Sequence, residues 1–290
     1  MSLQQLERLV DRLEALTKQK SLNLLPSVHI FRRDEISEFE AAVYNPVICL
    51  ILQGRKEMHI GARSVSLAKG DALLVSHALP VVSKITQASP ATPYRALILS
   101  LDLGVLRGLY EQVGDAVSDD HSATSLCASK ADPAWIDPIA RYLQLIDSPL
   151  DTQVLGPMIL KEIHFRLLMS PIGGMLRNLL SVGSHASRIS KSILRIRADF
   201  RLPLIVADLA QLAGMSPSSF HEHFKAVTGT TPLQYQKDLR MIEAHALLSR
   251  GVPSVSVAGF EVGYESPTHF SRDYSRKFGC SPKHHLVQAQ

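Results

Sequence analysis

The chain opens on a helical pattern. Leu6, Leu9, Val10, Leu13 and Leu16 recur every three or four residues among Glu, Arg and Lys, which predicts one amphipathic helix. From about residue 28 to residue 103 the pattern shortens. Aliphatic and β-branched stretches at 47–52, 64–67, 72–75, 81–85 and 94–101 are separated by Gly54, Gly61, Gly70, Pro80 and Pro90. Many short strands with turn residues between them predict a sandwich or barrel. After about residue 134 the helical spacing returns. Ile136, Ile139, Ala140, Leu143 and Ile146 form one stripe, and Leu155, Ile159, Ile163 and Leu167 a second. Small residues at Ser181-Val182-Gly183-Ser184 then read as a linker.

Beyond residue 187 the pattern is helical in short pieces, and it repeats at an offset of 50 residues. Ser216-Pro217 returns as Ser266-Pro267, Phe220 as Phe270, Phe224 as Tyr274, Gly229 as Gly279 and Pro232 as Pro282. Each copy reads as a helix-turn-helix. In the first, Val206, Leu209, Ala210 and Ala213 share a face, Gly214 ends the helix and Met215 plugs the turn. Ser216 then caps a second helix with Pro217 at its first position. In the second copy Val255, Ala258, Gly259 and Val262 make the face, Gly263 and Tyr264 the turn, and Phe270, Tyr274 and Phe278 the buried stripe. Its turn is one residue longer. Between the copies Thr231 caps, and Gly251 stops, a long helix carrying Tyr235, Leu239, Ile242 and Ala246.

A helix packed through one face leaves the other free, and in a helix-turn-helix the free N-terminal end of the second helix enters the major groove. Those positions are Ser218, His221 and Glu222 in the first copy and Thr268, Ser271 and Arg272 in the second. Arg272 suits a guanine edge and Glu222 a cytosine amine. Lys225, Arg276 and Lys277 lie further along and suit phosphates, which position a protein without reading sequence. A plain helical bundle is the alternative reading, but it has no need for two matched starts joined by one helix.

Composition changes this picture little. The chain has 290 residues, 46% hydrophobic and 20% charged, a globular balance that suggests two domains. Net charge is +4, and residues 181–290 carry 13 Lys+Arg against 8 Asp+Glu, so the basic excess lies wholly in the C-terminal part. No apolar run spans a bilayer and the charged N-terminus lacks a signal-peptide core, which points to the cytoplasm and away from membranes. Cys49, Cys127 and Cys280 are far apart and odd in number, forming neither a disulfide framework nor a metal-ligand spacing.

The motifs in 187–290 resemble the AraC/XylS family of bacterial regulators. Leu209-Ala210-Gln211-Leu212-Ala213-Gly214-Met215-Ser216-Pro217 with Phe220 and Phe224-Lys225 is similar to the family's first unit. Val262-Gly263-Tyr264-Glu265-Ser266-Pro267 with Phe270-Ser271-Arg272, Phe278-Gly279 and Pro282 is similar to the second. The resemblance implies one polypeptide contacting two adjacent major grooves of double-stranded DNA, and it places Ser218, His221, Glu222, Thr268, Ser271 and Arg272 near bases. Two residues depart from the pattern. Gly259 stands where Ala or Ile is commoner, which should weaken its helix by about 1 kcal/mol relative to Ala. Glu222 stands where a basic residue is frequent.

The N-terminal part resembles the cupin-like sensor half of one family subgroup. The stretch 49–55 (Cys-Leu-Ile-Leu-Gln-Gly-Arg), Gly61, Leu74-Val75-Ser76, Pro80-Val81, Ala88-Ser89-Pro90 and residues 96–103 carry that likeness. It implies an α+β architecture. A cupin-like β-barrel with flanking helices, residues 1–184, would sense a small molecule and dimerise. An all-α domain of two helix-turn-helix units joined by a long helix, residues 185–290, would bind DNA. The expected protein is a sequence-specific transcription regulator and activator, working as a homodimer with a small-molecule effector and RNA polymerase as partners.

The competing reading is a metal-dependent cupin enzyme with a helical partner-binding tail. Cupin metals sit on a His-x-His pair, a Glu and a later His. Here the relevant strand holds His59 alone, His77 follows another strand, and the first His-x-His, His221-Glu222-His223, lies on the candidate recognition helix. No catalytic residue, cofactor or metal site is therefore expected, and His59 and His77 read as structural or pocket-lining. Cys49 reads as a buried small hydrophobe, and Cys127, in the polar stretch 119–130, as a loop thiol.

Overall fold

The architecture is that of a computed structural model describing residues 2–17, 22–61, 63–113, 124–251 and 254–288. The side chain of Leu16 and residues 119–123 of the polar stretch lie outside the described ones. Helix α1 (Leu3–Thr17) leads into strands β1 (Leu22–Leu25), β2 (Val28–Arg33), β3 (Glu40–Tyr44), β4 (Val47–Gln53), β5 (Arg55–Ile60), β6 (Arg63–Ala68), β7 (Asp71–Val75), β8 (Leu79–Gln87) and β9 (Tyr94–Ser100). Helix α2 (Leu103–Val113), strand β10 (Leu126–Lys130), and helices α3 (Pro133–Leu143), α4 (Pro149–Met169) and α5 (Gly174–Leu180) complete the N-terminal half. The strands form two antiparallel sheets, ordered β1-β2-β9-β4-β7-β10 and β3-β8-β5-β6.

Strand β4 shows why the chain folds this way. Its sequence Val-Ile-Cys-Leu-Ile-Leu is buried without a break. Alternate residues serve different cores: Val47, Cys49 and Ile51 face the space between the sheets, whereas Ile48, Leu50 and Leu52 face a helical layer. A strand covered on both faces needs apolar residues at every position, so its period of two disappears from the sequence. Leu73 and Val75 of β7 repeat the inward set, and Ala72 and Leu74 the outward one. Leu6, Val10 and Leu13 of α1 join the outer layer with Trp135, Ile136, Ile139, Ile163 and Leu167.

The C-terminal half is all helical: α6 (His185–Ala198), α7 (Val206–Leu212), α8 (Pro217–Thr228), α9 (Pro232–Ser249), α10 (Val255–Glu261), α11 (Pro267–Phe278) and α12 (Pro282–Gln288). It does not hang from a spacer. Residues 181–184 form a tight turn, and Ser184 accepts the Ser187 N–H at 3.0 Å to cap α6. The small residues there are capping chemistry, not linker chemistry. The core between the sheets continues through Ala186, Ile189, Ile193 and Ile196 into Leu209, Phe220, Phe224 and Tyr235. A separate small core (Met241, Ala244, Leu248, Ala258, Val262, Phe270, Tyr274) holds the second helical unit.

The helical stripes expected to dimerise are mostly spent inside the protomer, since Ile136, Ile139, Ala140, Leu143, Ile163 and Leu167 are all buried. The exposed large apolar residues of α4 are Leu150, Val154, Leu155 and Met158 in its first half, at 69%, 52%, 42% and 66% exposure, and Met169 at its end, at 39%.

Candidate nucleic-acid interface

The first helix-turn-helix is α7 and α8. Its turn is closed by two backbone bonds: the Gly214 N–H donates to the Gln211 carbonyl and the Met215 N–H to the Ala210 carbonyl, each at 2.9 Å. This closure needs a left-handed residue, and Gly214 adopts φ +63° at no steric cost. Ser216 accepts the Ser219 N–H at 3.3 Å and Pro217 takes the first helical position. Phe220 and Phe224 are fully buried with ring centroids 5.5 Å apart, and Phe224 meets Tyr235 of α9 edge-on.

The second unit, α10 and α11, repeats each device. The Gly263 N–H donates to the Phe260 carbonyl at 2.9 Å and the Tyr264 N–H to the Gly259 carbonyl at 3.0 Å. Ser266 accepts the His269 N–H at 3.4 Å, and Phe270 and Tyr274 pack 5.6 Å apart in the core. The extra turn residue inferred from sequence is present between residues 261 and 267. Gly259 acquires a reason that helix propensity alone misses: a Cβ there would lie 3.1 Å from the Phe270 ring. The glycine admits the ring, so the local helical cost is offset by packing.

Seven of the nine expected DNA-facing residues are exposed: Ser218, His221, Glu222 and Lys225 on α8, and Thr268, Arg272 and Arg276 on α11; Ser271 is half-buried. Among the described residues, the Lys225 and Arg272 side chains have no hydrogen-bond or ion-pair partner, whereas Arg276 pairs with Asp273 at 2.8 Å. Lys277 is different. One residue further round the helix, it points back to α9 and sits 2.7 Å from Asp238, so its charge is already engaged.

Sequence reasoning missed the network behind α11. Burial works against the Asp273 carboxylate, but hydrogen bonds from Lys237 and Tyr264 hold it below the ordinary carboxylate range. Arg240 of α9 donates to the carbonyls of Phe200, Gly263, Arg201 and Leu202, strapping the second turn to the segment after α6. Burial pulls its pKa down. His269 is also exposed in the first turn of α11, adjoining Thr268 and three residues before Arg272.

In the barrel, His59 and His77 do not converge. His59 Nε2 lies 3.0 Å from Glu57. His77 is buried between Ser76 Oγ (2.9 Å), Ser125 Oγ (3.0 Å) and the Ala186 carbonyl (3.2 Å), at the junction with the helical half. Burial lowers its pKa to about 4. Burial pushes the Cys49 thiol up to about 11, which favours its protonated form. Among the described residues, Cys280, His284 and His285 bring one possible ligand atom each within 4.8 Å of one another. Counting cysteines alone hid this group, because two of its three members are histidines.

Comparison with known proteins agrees with this layout. The family model described as the AraC-type transcriptional regulator N-terminus matches residues 24–175, and a helix-turn-helix domain model matches residues 209–286. The transcriptional regulator ExsA of Pseudomonas aeruginosa is 25% identical over 243 residues, covering 81% of this chain and 84% of its own. The transcriptional activator RclR of Escherichia coli is 33% identical over 122 residues, 42% of this chain and 37% of its own. Among solved structures, unsaturated fatty acid-bound ToxT from Vibrio cholerae superposes with a TM-score of 0.52 at 12% identity, covering 92% of this chain and 95% of that one. With more than half of its length matched by the N-terminal model and a helix-turn-helix match behind it, the chain belongs to the AraC-type family of DNA-binding transcriptional regulators.

Proposed function

We propose that the chain is a homodimeric, effector-responsive transcription activator. Residues 1–184 sense and dimerise; residues 185–290 read two successive major grooves and recruit RNA polymerase. The observation that carries DNA reading is the matched pair of capped helices presenting Arg272 and Lys225 without internal partners. Ser218, His221, Glu222, Thr268, Ser271 and Arg272 face bases, and Lys225 and Arg276 face phosphates. Lys277 acts from behind by holding α11 to α9. RclR is named an activator, which supports that direction of control. No described helix is long and apolar enough to cross a membrane, in keeping with work on DNA in the cytoplasm.

The effector site is a cavity of about 370 Å³ in the barrel. Phe31, Val47, Tyr94 and Ile98 give it an apolar wall; Lys56, bonded to the Tyr44 hydroxyl at 2.5 Å, supplies a cation, and the Glu40 carboxylate, which also lines it, is paired with Arg33. The apolar wall and the lysine suit a small molecule with an apolar body and an anionic end. ToxT is crystallised with an unsaturated fatty acid, a molecule of that kind. Arg272→Ala tests the DNA reading. It should cost about 1–3 kcal/mol on a duplex enriched by the protein and much less on a scrambled one. Equal loss on both would assign Arg272 to phosphate.

A further inference from the structure

Cys280 follows the left-handed Gly279 that ends α11, and His284 and His285 lie on α12. Each of the three offers a ligand atom, and these atoms all lie within 4.8 Å of one another. The Cys280 Sγ stands 3.5 Å from His285 Nε2. Zinc–sulfur and zinc–nitrogen bonds of about 2.3 Å and 2.0–2.1 Å at a tetrahedral angle put the two donor atoms about 3.5–3.6 Å apart. The observed separation matches that spacing, but Sγ also lies 3.8 Å from His285 Nδ1, so the imidazole must turn for its Nε2 lone pair to meet an ion held by the thiolate.

The second ring nitrogen of His285 is also accounted for. Its Nδ1 lies 2.8 Å from the hydroxyl of Tyr274, a fully buried residue of α11. An imidazole that ligates through one nitrogen is commonly fixed through the other, which sets its tautomer and ring direction. His245 of α9 flanks the group, its ring 4.7 Å from His285. His284 is exposed and Cys280 half-buried, so the site opens to solvent and an ion has a way in.

We propose that Cys280, His284 and His285 bind a borderline-soft divalent cation of the zinc class, tying α12 to the end of recognition helix α11. One thiolate and two imidazoles form a nitrogen–sulfur set that prefers zinc-like ions to calcium or magnesium. Binding releases the Cys280 thiol proton to solvent, and the imidazoles bind neutral. The fourth position is left for water or an exogenous ligand. The site stands independently of the effector and operator readings, because it needs neither.

The test is titration of the reduced full-length protein with Co²⁺ as a spectroscopic probe for zinc, followed by Zn²⁺ competition. One equivalent should bind, with thiolate-to-cobalt charge transfer and tetrahedral d–d absorption, both removed by Zn²⁺. Cys280→Ser should abolish the charge-transfer band. His284→Ala, at an exposed position that leaves folding intact, should weaken binding at least 10-fold, and Tyr274→Phe roughly 10- to 100-fold. Cys127→Ser should change nothing. Absence of the band in the parent protein would overturn the proposal, leaving a thiol–imidazole hydrogen bond at Cys280. So would a band that survives Cys280→Ser.

Discussion

The Tyr235 hydroxyl of α9 donates to the Ala78 carbonyl at 2.6 Å, joining residues 157 positions apart in the chain. Both groups are buried, and Ala78 sits next to His77, which itself reaches the Ala186 carbonyl. The connection between β7 and β8 is thus held by α6 and α9 at once. Tyr235→Phe keeps the ring against Phe224 but leaves the Ala78 carbonyl unpaired. Denaturant unfolding should show a loss of about 1–3 kcal/mol. An unchanged midpoint and slope would show that the junction does not depend on this bond.

His77 gives the same junction a pH dependence. Its folded pKa is depressed, to about 4, because burial disfavours the imidazolium; the unfolded value is about 6.5. Between these values the unfolded chain binds more protons, so stability falls as pH falls through that window and is level above it. The loss attributable to His77 is about 3 kcal/mol across the window. His164, also held neutral by burial, adds to the observed slope. The difference between the parent and His77→Gln isolates the His77 share, and parallel profiles would contradict it.

At Gly259 two physical arguments predict opposite signs. Helix propensity alone makes Gly259→Ala stabilising by about 1 kcal/mol. The Phe270 ring at 3.1 Å makes it destabilising, by about 1–3 kcal/mol of overpacking, and this term should win because Phe270 is fully buried. Thermal unfolding decides, and a raised Tm would reject the packing account.

Dimerisation should run through the exposed side of α4. Val154→Glu with Met158→Glu places two charges on that surface, and sedimentation should show a monomer that keeps the parent circular dichroism. A variant that remains dimeric would move the interface elsewhere.

The sequence made the helix-turn-helix units legible because their turns use residues with one job each: Gly214 and Gly263 for the left-handed closure, Ser216 and Ser266 for caps, Pro217 and Pro267 for helix starts. Strand β4 was visible as an apolar run, but its two faces were not, because neither is solvent-exposed. Strands β1, β2, β3 and β10 are not among the stretches the sequence predicts. They are short, and Glu40–Tyr44 and Leu126–Lys130 carry half-buried or exposed residues throughout. The pairing of Lys277 is not legible in the sequence, because composition shows a charge without its partner and Asp238 lies 39 residues away. The Cys280 group was missed for a similar reason: its geometry depends on the start of α12, which spacing alone does not fix.

The most direct test of the central claim is selection of sites by the full-length protein from a random pool of double-stranded DNA, at two salt concentrations. The account predicts an enriched motif with two conserved blocks about one helical turn, roughly 34 Å, apart, and affinity that falls steeply with salt. Loss of one block in Arg272→Ala would tie that block to α11. A pool that stays random at low salt, with the barrel cavity both empty and supplied with a fatty acid, would contradict it.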